Sequence, residues 1–195
     1  MRYIMFVALL KTTFTFMKNL LLIVLCFAFA KAYSQQPSSQ PGNVIKDFGK
    51  TFAVPEPDFK TDTEAQFYIV FDVAKAPEDP SVRNPYIETM ARFLNMHDKA
   101  GIPRENMHIR AAIHGKAAYG VLTNELYKEK YGVDNPNIAL LEALNDAGVE
   151  LIVCGQTAGS RNITSARRLE IIDVALSAMT VLSQSQMSGY SLIAF

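Results

Sequence analysis

The chain has 195 residues, 49% hydrophobic and 19% charged, with 19 Lys+Arg against 19 Asp+Glu, enough for one domain with a real core. The charges are uneven: residues 1–34 hold Arg2, Lys11, Lys18 and Lys31 and no acid, so their removal leaves 15 basic and 19 acidic residues, a net charge of −4. That balance excludes the electrostatic footprint of a nucleic-acid-binding protein and gives little to hold an anionic membrane surface.

Residues 17–34 read MKNLLLIVLCFAFAKAYS. Lys18 supplies a positive start, residues 20–30 an unbroken apolar run, and Ala28, Ala30, Ala32 and Ser34 the small residues of a cleavage region. The run is shorter than the ~20 residues a spanning helix needs. The expectation is a signal peptide over 1–34, cleaved after Ser34, with no stable membrane insertion afterwards and a periplasmic or secreted product. Cleavage after Ala30 or Ala32, a retained anchor and a start at Met17 stay open. Bulky Leu25 before Cys26 argues against lipidation. Cleavage removes Cys26 and leaves Cys154 as the one thiol, so no internal disulfide can form.

Residues 35–65, rich in Gln, Ser, Pro and Lys, read as a polar linker or arm; Val44, Ile45, Phe48, Phe52 and Val54 are apolar anchors with which part of it can dock. The α/β domain is predicted over 66–195. QFYIVFDV (66–73) has the apolar, aromatic and β-branched content of a buried strand. A helix follows over 84–101, with Asn84 as N-cap, Pro85 in the first turn, Ile87, Met90, Ala91 and Leu94 on its apolar face, and Gly101 at its end. MHIRAAIHG (107–115) is the next strand. The pattern repeats: a helix over 135–148, with Ile138, Leu141 and Leu144 facing inward, then the strand VELIVCG (149–155). A last helix is predicted over 170–187, from Val174, Ala178, Val181 and Leu182, before a break at Ser188–Gly189 and a strand over 190–195. Strands alternating with helices predict an α/β fold with a mostly parallel sheet covered on both faces.

Sites in such sheets form at the carboxyl ends of strands. Two ionisable residues stand there, His114 and Cys154. If their strands are neighbours, both open on one crevice. A base or helix N-terminus beside Cys154 lowers its thiol pKa. Gly155 allows a sharp turn or a close ligand, and QTAGSRN (156–162) is a polar loop in which Gln156 and Arg161 are candidate ligand-binding groups, Arg161 as counter-charge to a thiolate. The other reading keeps Cys154 as a small apolar core residue and His114 as an ordinary strand-end residue. Tyr119, Asn135 and Asn137 are assigned to caps and packing. No G-x-G-x-x-G, P-loop, C-x-x-C or metal-ligand spacing is found, so no cofactor or metal is expected; Asn162-Ile163-Thr164 matches a glycosylation acceptor of low specificity.

HGKAAYGVLTNELYKEKYGVDNPNIALLEALNDAGVELIVCGQT, followed by ALSAMTVLSQSQMSGYSLIAF, resembles the DsrE/DsrF-like superfamily with its YchN-like proteins, over roughly residues 65–195. The resemblance implies a compact three-layer α/β/α domain and a homo-oligomer, trimer or hexamer. In the sulfur-relay branches a cysteine carries persulfide sulfur between partner proteins, which implies a thiol-based sulfur carrier, or sulfurtransferase, with Cys154 in that role and a thiol partner protein. The alternative is a non-catalytic binding or assembly module with a structural Cys154.

Overall fold

The computed structural model describes residues 38–195. The expected signal peptide over 1–34 and the first residues of the arm lie outside the described residues. Among the described residues, no helix is long and apolar enough to cross a membrane.

Among the described residues, five strands form one wholly parallel sheet: β1 (Phe67–Val73), β2 (Met107–Ile113), β3 (Glu150–Cys154), β4 (Asp173–Ala175) and β5 (Ser191–Ala194), in the order β4-β3-β2-β1-β5. Five α-helices accompany them among the described residues: α1 (Pro85–Lys99), α2 (Asn124–Tyr131), α3 (Ile138–Asp146), α4 (Gly155–Ser160) and α5 (Ala178–Met187). The fold is the expected α/β class with its parallel sheet. The register is fixed by pairs such as Phe71 with Ala111 and Ile113 with Val153. Because side chains alternate across a strand, Ile69, Phe71, Val73, Ile109, Ala111, Ile113, Leu151 and Val153 share one face. They pack in one core with Ile87, Met90, Ala91 and Leu94 of α1 and Leu140, Leu141 and Leu144 of α3. Val70, Ala112 and Cys154 face the other way, against Ala178 and Val181 of α5. Helices therefore cover both faces, and strands buried on both sides read as apolar runs rather than as alternation.

α1 starts where the sequence places it. Asn84 Oδ1 accepts from the Tyr86 N–H (2.9 Å) and Pro85 opens the first turn. Asn137 Oδ1 accepts from the Asn84 N–H (2.8 Å), and Asn135 Oδ1 accepts from the Asn137 N–H (3.0 Å), so three buried asparagines tie the starts of α1 and α3 together. α5 is anchored from the sheet. The Arg110 guanidinium makes two 2.9 Å bonds to Glu150, donates to Ser185 Oγ (3.0 Å) and lies over the Tyr190 ring.

Two readings change, and one helix was not read at all. The helix expected over 170–187 is two elements: β4, then α5 beginning at Ala178. Val174 and Ala175 pair with Val153 and Cys154 at the sheet edge, and Ser177, extended at φ −159°, caps α5 by accepting from the Thr180 N–H (3.0 Å). The β-branched Val174 suits an edge strand, and its helical spacing with Ala178 and Val181 was coincidental. QTAGSRN is not a loop, since most of it forms α4. The unread helix is α2, whose mainly polar sequence puts only Leu126, Tyr127 and Tyr131 against the core.

The 39–65 arm is held on α1. Ile45 and Thr51 are buried, whereas Phe52 and Val54 are exposed. Asn95, fully buried on α1, accepts from the Ile45 N–H (2.9 Å) and donates towards the carbonyls of Ile45, Phe48 and Gly49. The Gly49 N–H donates to Glu88 (3.0 Å). Burial pushes the Glu88 carboxyl up, but this N–H and Arg83 outweigh it and hold the group below the usual carboxylate range. Asn95→Ala strands four backbone groups at once, so we expect a loss of about 2–3 kcal/mol by urea unfolding, with new proteolytic cleavage within residues 39–54.

Candidate functional site at the carboxyl edge of the sheet

The first three strands end side by side. Asp72 lies on β1, Cys154 closes β3, and His114 follows β2 with its backbone still extended and its N–H donating to the Val73 carbonyl (2.9 Å). Asp72 pairs with Ala112 and Ile113 with Val153. The alternation of side chains therefore puts Asp72, His114 and Cys154 on the α5 face of the sheet. The chain then turns at Gly115, which has φ +51° and would bring a Cβ within 2.7 Å of the Ala74 carbonyl oxygen.

Cys154 is a free thiol, 6% exposed, and it caps α4. The Thr157 N–H points at its sulfur (3.5 Å). Burial pushes the thiol pKa up; hydrogen bonds from Thr157, through side chain and backbone, and from the Ala178 and Gln156 backbone more than offset it. The result lies below the usual thiol value, because the anion is surrounded by N–H and O–H donors. α5 contributes through the Ala178 N–H, so the thiol's environment requires a helix more than twenty residues further along the chain.

The other candidate residues have their own partners. Gly155 is required by the protein's own backbone: a Cβ there would sit 2.5 Å from the Ala175 carbonyl oxygen, where β4 passes. Gln156 is exposed and its side chain donates to the Leu176 carbonyl (3.2 Å), while its backbone N–H serves Cys154. Arg161, at the far end of α4, donates to the Gly115 carbonyl and lies over the Tyr119 ring at 4.5 Å. His114 Nε2 meets Asp72 Oδ1 at 2.6 Å. A carboxylate oxygen accepts, so Nε2 is the donor in this contact and Nδ1 is the ring's other nitrogen. The groups acting on the Cys154 thiol are thus hydrogen-bond donors of α4 and α5; neither His114 nor Arg161 is among them.

Sequence reasoning did not find Asp72, Thr157 or Ala178. Asp72 had a signal, a lone acid near the end of an apolar strand. Thr157 had a weak one, three residues after a candidate cap. Ala178 had none, because its role depends on where α5 lands. The cavity of about 250 Å³ among Glu78, Asn84, Lys116, Tyr119, Tyr127 and Asn137 touches none of the five predicted site residues. Among the described residues, no three His, Cys, Asp or Glu side chains gather as a metal site would require.

Residues 67–195 match the DsrE/DsrF-like family. No curated protein matches the chain. Among solved structures, the chain is similar to a protein of unknown function, MTH1491, from Methanobacterium thermoautotrophicum, at 19% identity and a TM-score of 0.50, with 66% of this chain and 99% of that one covered. It is also similar to the YchN protein from E. coli, at 16% identity and a TM-score of 0.49, over the same 66% and 99%.

A pKa depressed in the folded state has a definite sign. The thiolate forms at lower pH than in the unfolded chain. Its contribution to stability is complete above the unfolded pKa and is lost as pH falls through the folded one. The pH profile of Cys154 alkylation by iodoacetamide should therefore turn over below that of the urea-unfolded protein. Thr157→Val should move the folded midpoint upward; coincident midpoints in the folded and unfolded protein would refute the donor environment.

Proposed function

Because the chain belongs to the DsrE/DsrF-like family, a family linked to sulfur relay, we propose that it is a thiol-based sulfur carrier, with Cys154 as the carrying group. The observation that carries this reading is the thiol at the carboxyl end of β3, held among the donors of Thr157, Gln156 and Ala178 with its pKa lowered. The step balances without a redox cofactor. The Cys154 thiolate attacks the terminal sulfur of a polysulfide or a donor persulfide. A new S–S bond forms, the old one breaks, and its electron pair leaves on the donor's sulfur as a thiolate or shortened polysulfide. The persulfide anion then occupies the same donors, and a thiol of a partner protein takes the outer sulfur in the reverse sense. His114, oriented by Asp72, stands on the same edge of the sheet. The apolar segment at 20–30, read as an export signal, supports a periplasmic or secreted location for this chemistry.

Intact mass spectrometry of the folded protein before and after polysulfide tests this. A gain of whole sulfur atoms, reversed by dithiothreitol and lost in Cys154→Ser, is the expected result. If Cys154 gains no sulfur when folded and is labelled only after unfolding, the thiol is structural and the carrier reading is wrong.

A second observation supports assembly, whether or not the thiol reacts. On the α5 side, Tyr68 and Leu192 of the sheet are exposed, as are Leu176 (73%), Met179 (76%) and Met187 (86%). Exposed apolar groups gathered on one side mark interaction surfaces, and we propose that a second copy of the chain covers them in a homo-oligomer, a trimer or hexamer. Light scattering on the wild type should give a multiple of the chain mass, and Met179→Glu with Met187→Glu should reduce it to the monomer. A monomeric wild type at micromolar concentration would rule this out.

A further inference from the structure

We infer that Lys130, Arg161 and Arg167 form a binding site for a small divalent oxyanion of the phosphate, sulfate or thiosulfate type. They line a cavity of about 190 Å³ between α2, the end of α4 and the turn at Ser165–Arg167, together with Tyr119 and one acid, Glu129. Three cations thus face one carboxylate. Among the described residues, none of the three is in an ion pair.

Two of the cations are gathered on one aromatic ring. Arg161 donates to the Gly115 carbonyl and stacks on the Tyr119 ring at 4.5 Å, and Lys130 Nζ lies 4.3 Å from the centroid of the same ring. One aromatic ring therefore gathers two positive charges, an arrangement that repels itself until an anion joins it. Arg167 belongs to a turn fixed on α2: its carbonyl accepts from the Thr123 N–H (3.1 Å), and Thr123 begins that helix. The Arg167 Nε is buried and has no hydrogen-bond partner among the described residues. The Nε atoms of Arg104 and Arg168 are left in the same state, so an anion in the cavity is met by the charge and the outer N–H groups of the guanidinium rather than by this atom. Two guanidiniums with an ammonium suit a compact multidentate anion.

Size narrows the ligand. The cavity is far above the ~10–15 Å³ that admits one water but below the ~300 Å³ at which sites for drug-sized molecules begin. A single tetrahedral head group fits these limits and a nucleotide does not. Cys154 does not line the cavity, so the site stands or falls independently of the carrier reading.

Isothermal titration calorimetry of the whole protein with sodium phosphate, sulfate and thiosulfate, each against sodium chloride at equal ionic strength, tests the inference. Saturable binding of at least one of the three is expected, weakened about tenfold or more by Arg167→Gln and by Lys130→Gln. Lys60→Gln, on the exposed arm, should bind as the wild type does. Lys130 is exposed, so its variant keeps the test open if Arg167→Gln fails to fold. A preference for thiosulfate or for phosphate tells which chemistry supplies the ligand; either supports the site. No binding beyond chloride, or equal affinity in the wild type, Arg167→Gln and Lys130→Gln, overturns it.

Discussion

The parallel register of β1, β2 and β3 is the constraint on which the site depends. Phe71 opposite Ala111 and Ile113 opposite Val153 set which side chains go to which face. A slip of one residue would send Cys154 into the α1–α3 core and leave His114 without Asp72. The register is itself held by the larger core, where Phe71, Ile113 and Val153 are fully buried. At roughly 1.5–3 kcal/mol for each such side chain, misplacing the set would cost far more than any polar contact at the edge could return. The apolar face therefore specifies the polar row on the opposite face.

The edge separates two kinds of electrostatics. Around Cys154 the donors are neutral: backbone N–H groups and one hydroxyl, close to the sulfur and shielded from water. They stabilise an anion without adding a cation that would have to be desolvated. Around Tyr119 the groups are fully charged and nearer to solvent. Arg161 links the two regions covalently, since it ends the helix that Cys154 begins, yet its guanidinium is committed to Gly115 and Tyr119. α5 has two tasks as well. It donates the Ala178 N–H to the thiol, and it leaves Met179 and Met187 outward on a sheet face that has little other cover.

The legible parts of the sequence were those governed by local rules. Asn84–Pro85 and the spacing of Ile87, Met90, Ala91 and Leu94 specify α1, and runs such as FYIVFDV and ELIVC can satisfy a buried strand. Cys154 and His114 were legible because each ends such a run beside a glycine. Where reading failed, a local pattern met a tertiary demand. Val174 has helical spacing with Ala178 and Val181, but the free edge of β3 recruits it as a strand. Asn95 looks like a polar interruption of α1 until the arm folds over it and uses every one of its hydrogen-bonding groups. Gly155 was open to two readings, turn or ligand approach; the Ala175 carbonyl, a neighbour from a strand the sequence did not disclose, occupies the space.

By itself, then, the sequence determined the α/β class, the strands and helices with strong periodicity, and the position of Cys154 at a strand end, because each follows from contacts within a few turns or from the faces a strand must bury. Only the tertiary structure decided what surrounds that thiol. Thr157 is local, but Ala178, the pairing of Asp72 with His114, and the capture of Arg161 by Tyr119 and Gly115 join residues tens of positions apart. No spacing rule encodes such meetings, since they arise when separate elements are pressed onto one sheet by burial of apolar area, a force without direction that leaves the polar partners to be set by the packing it produces.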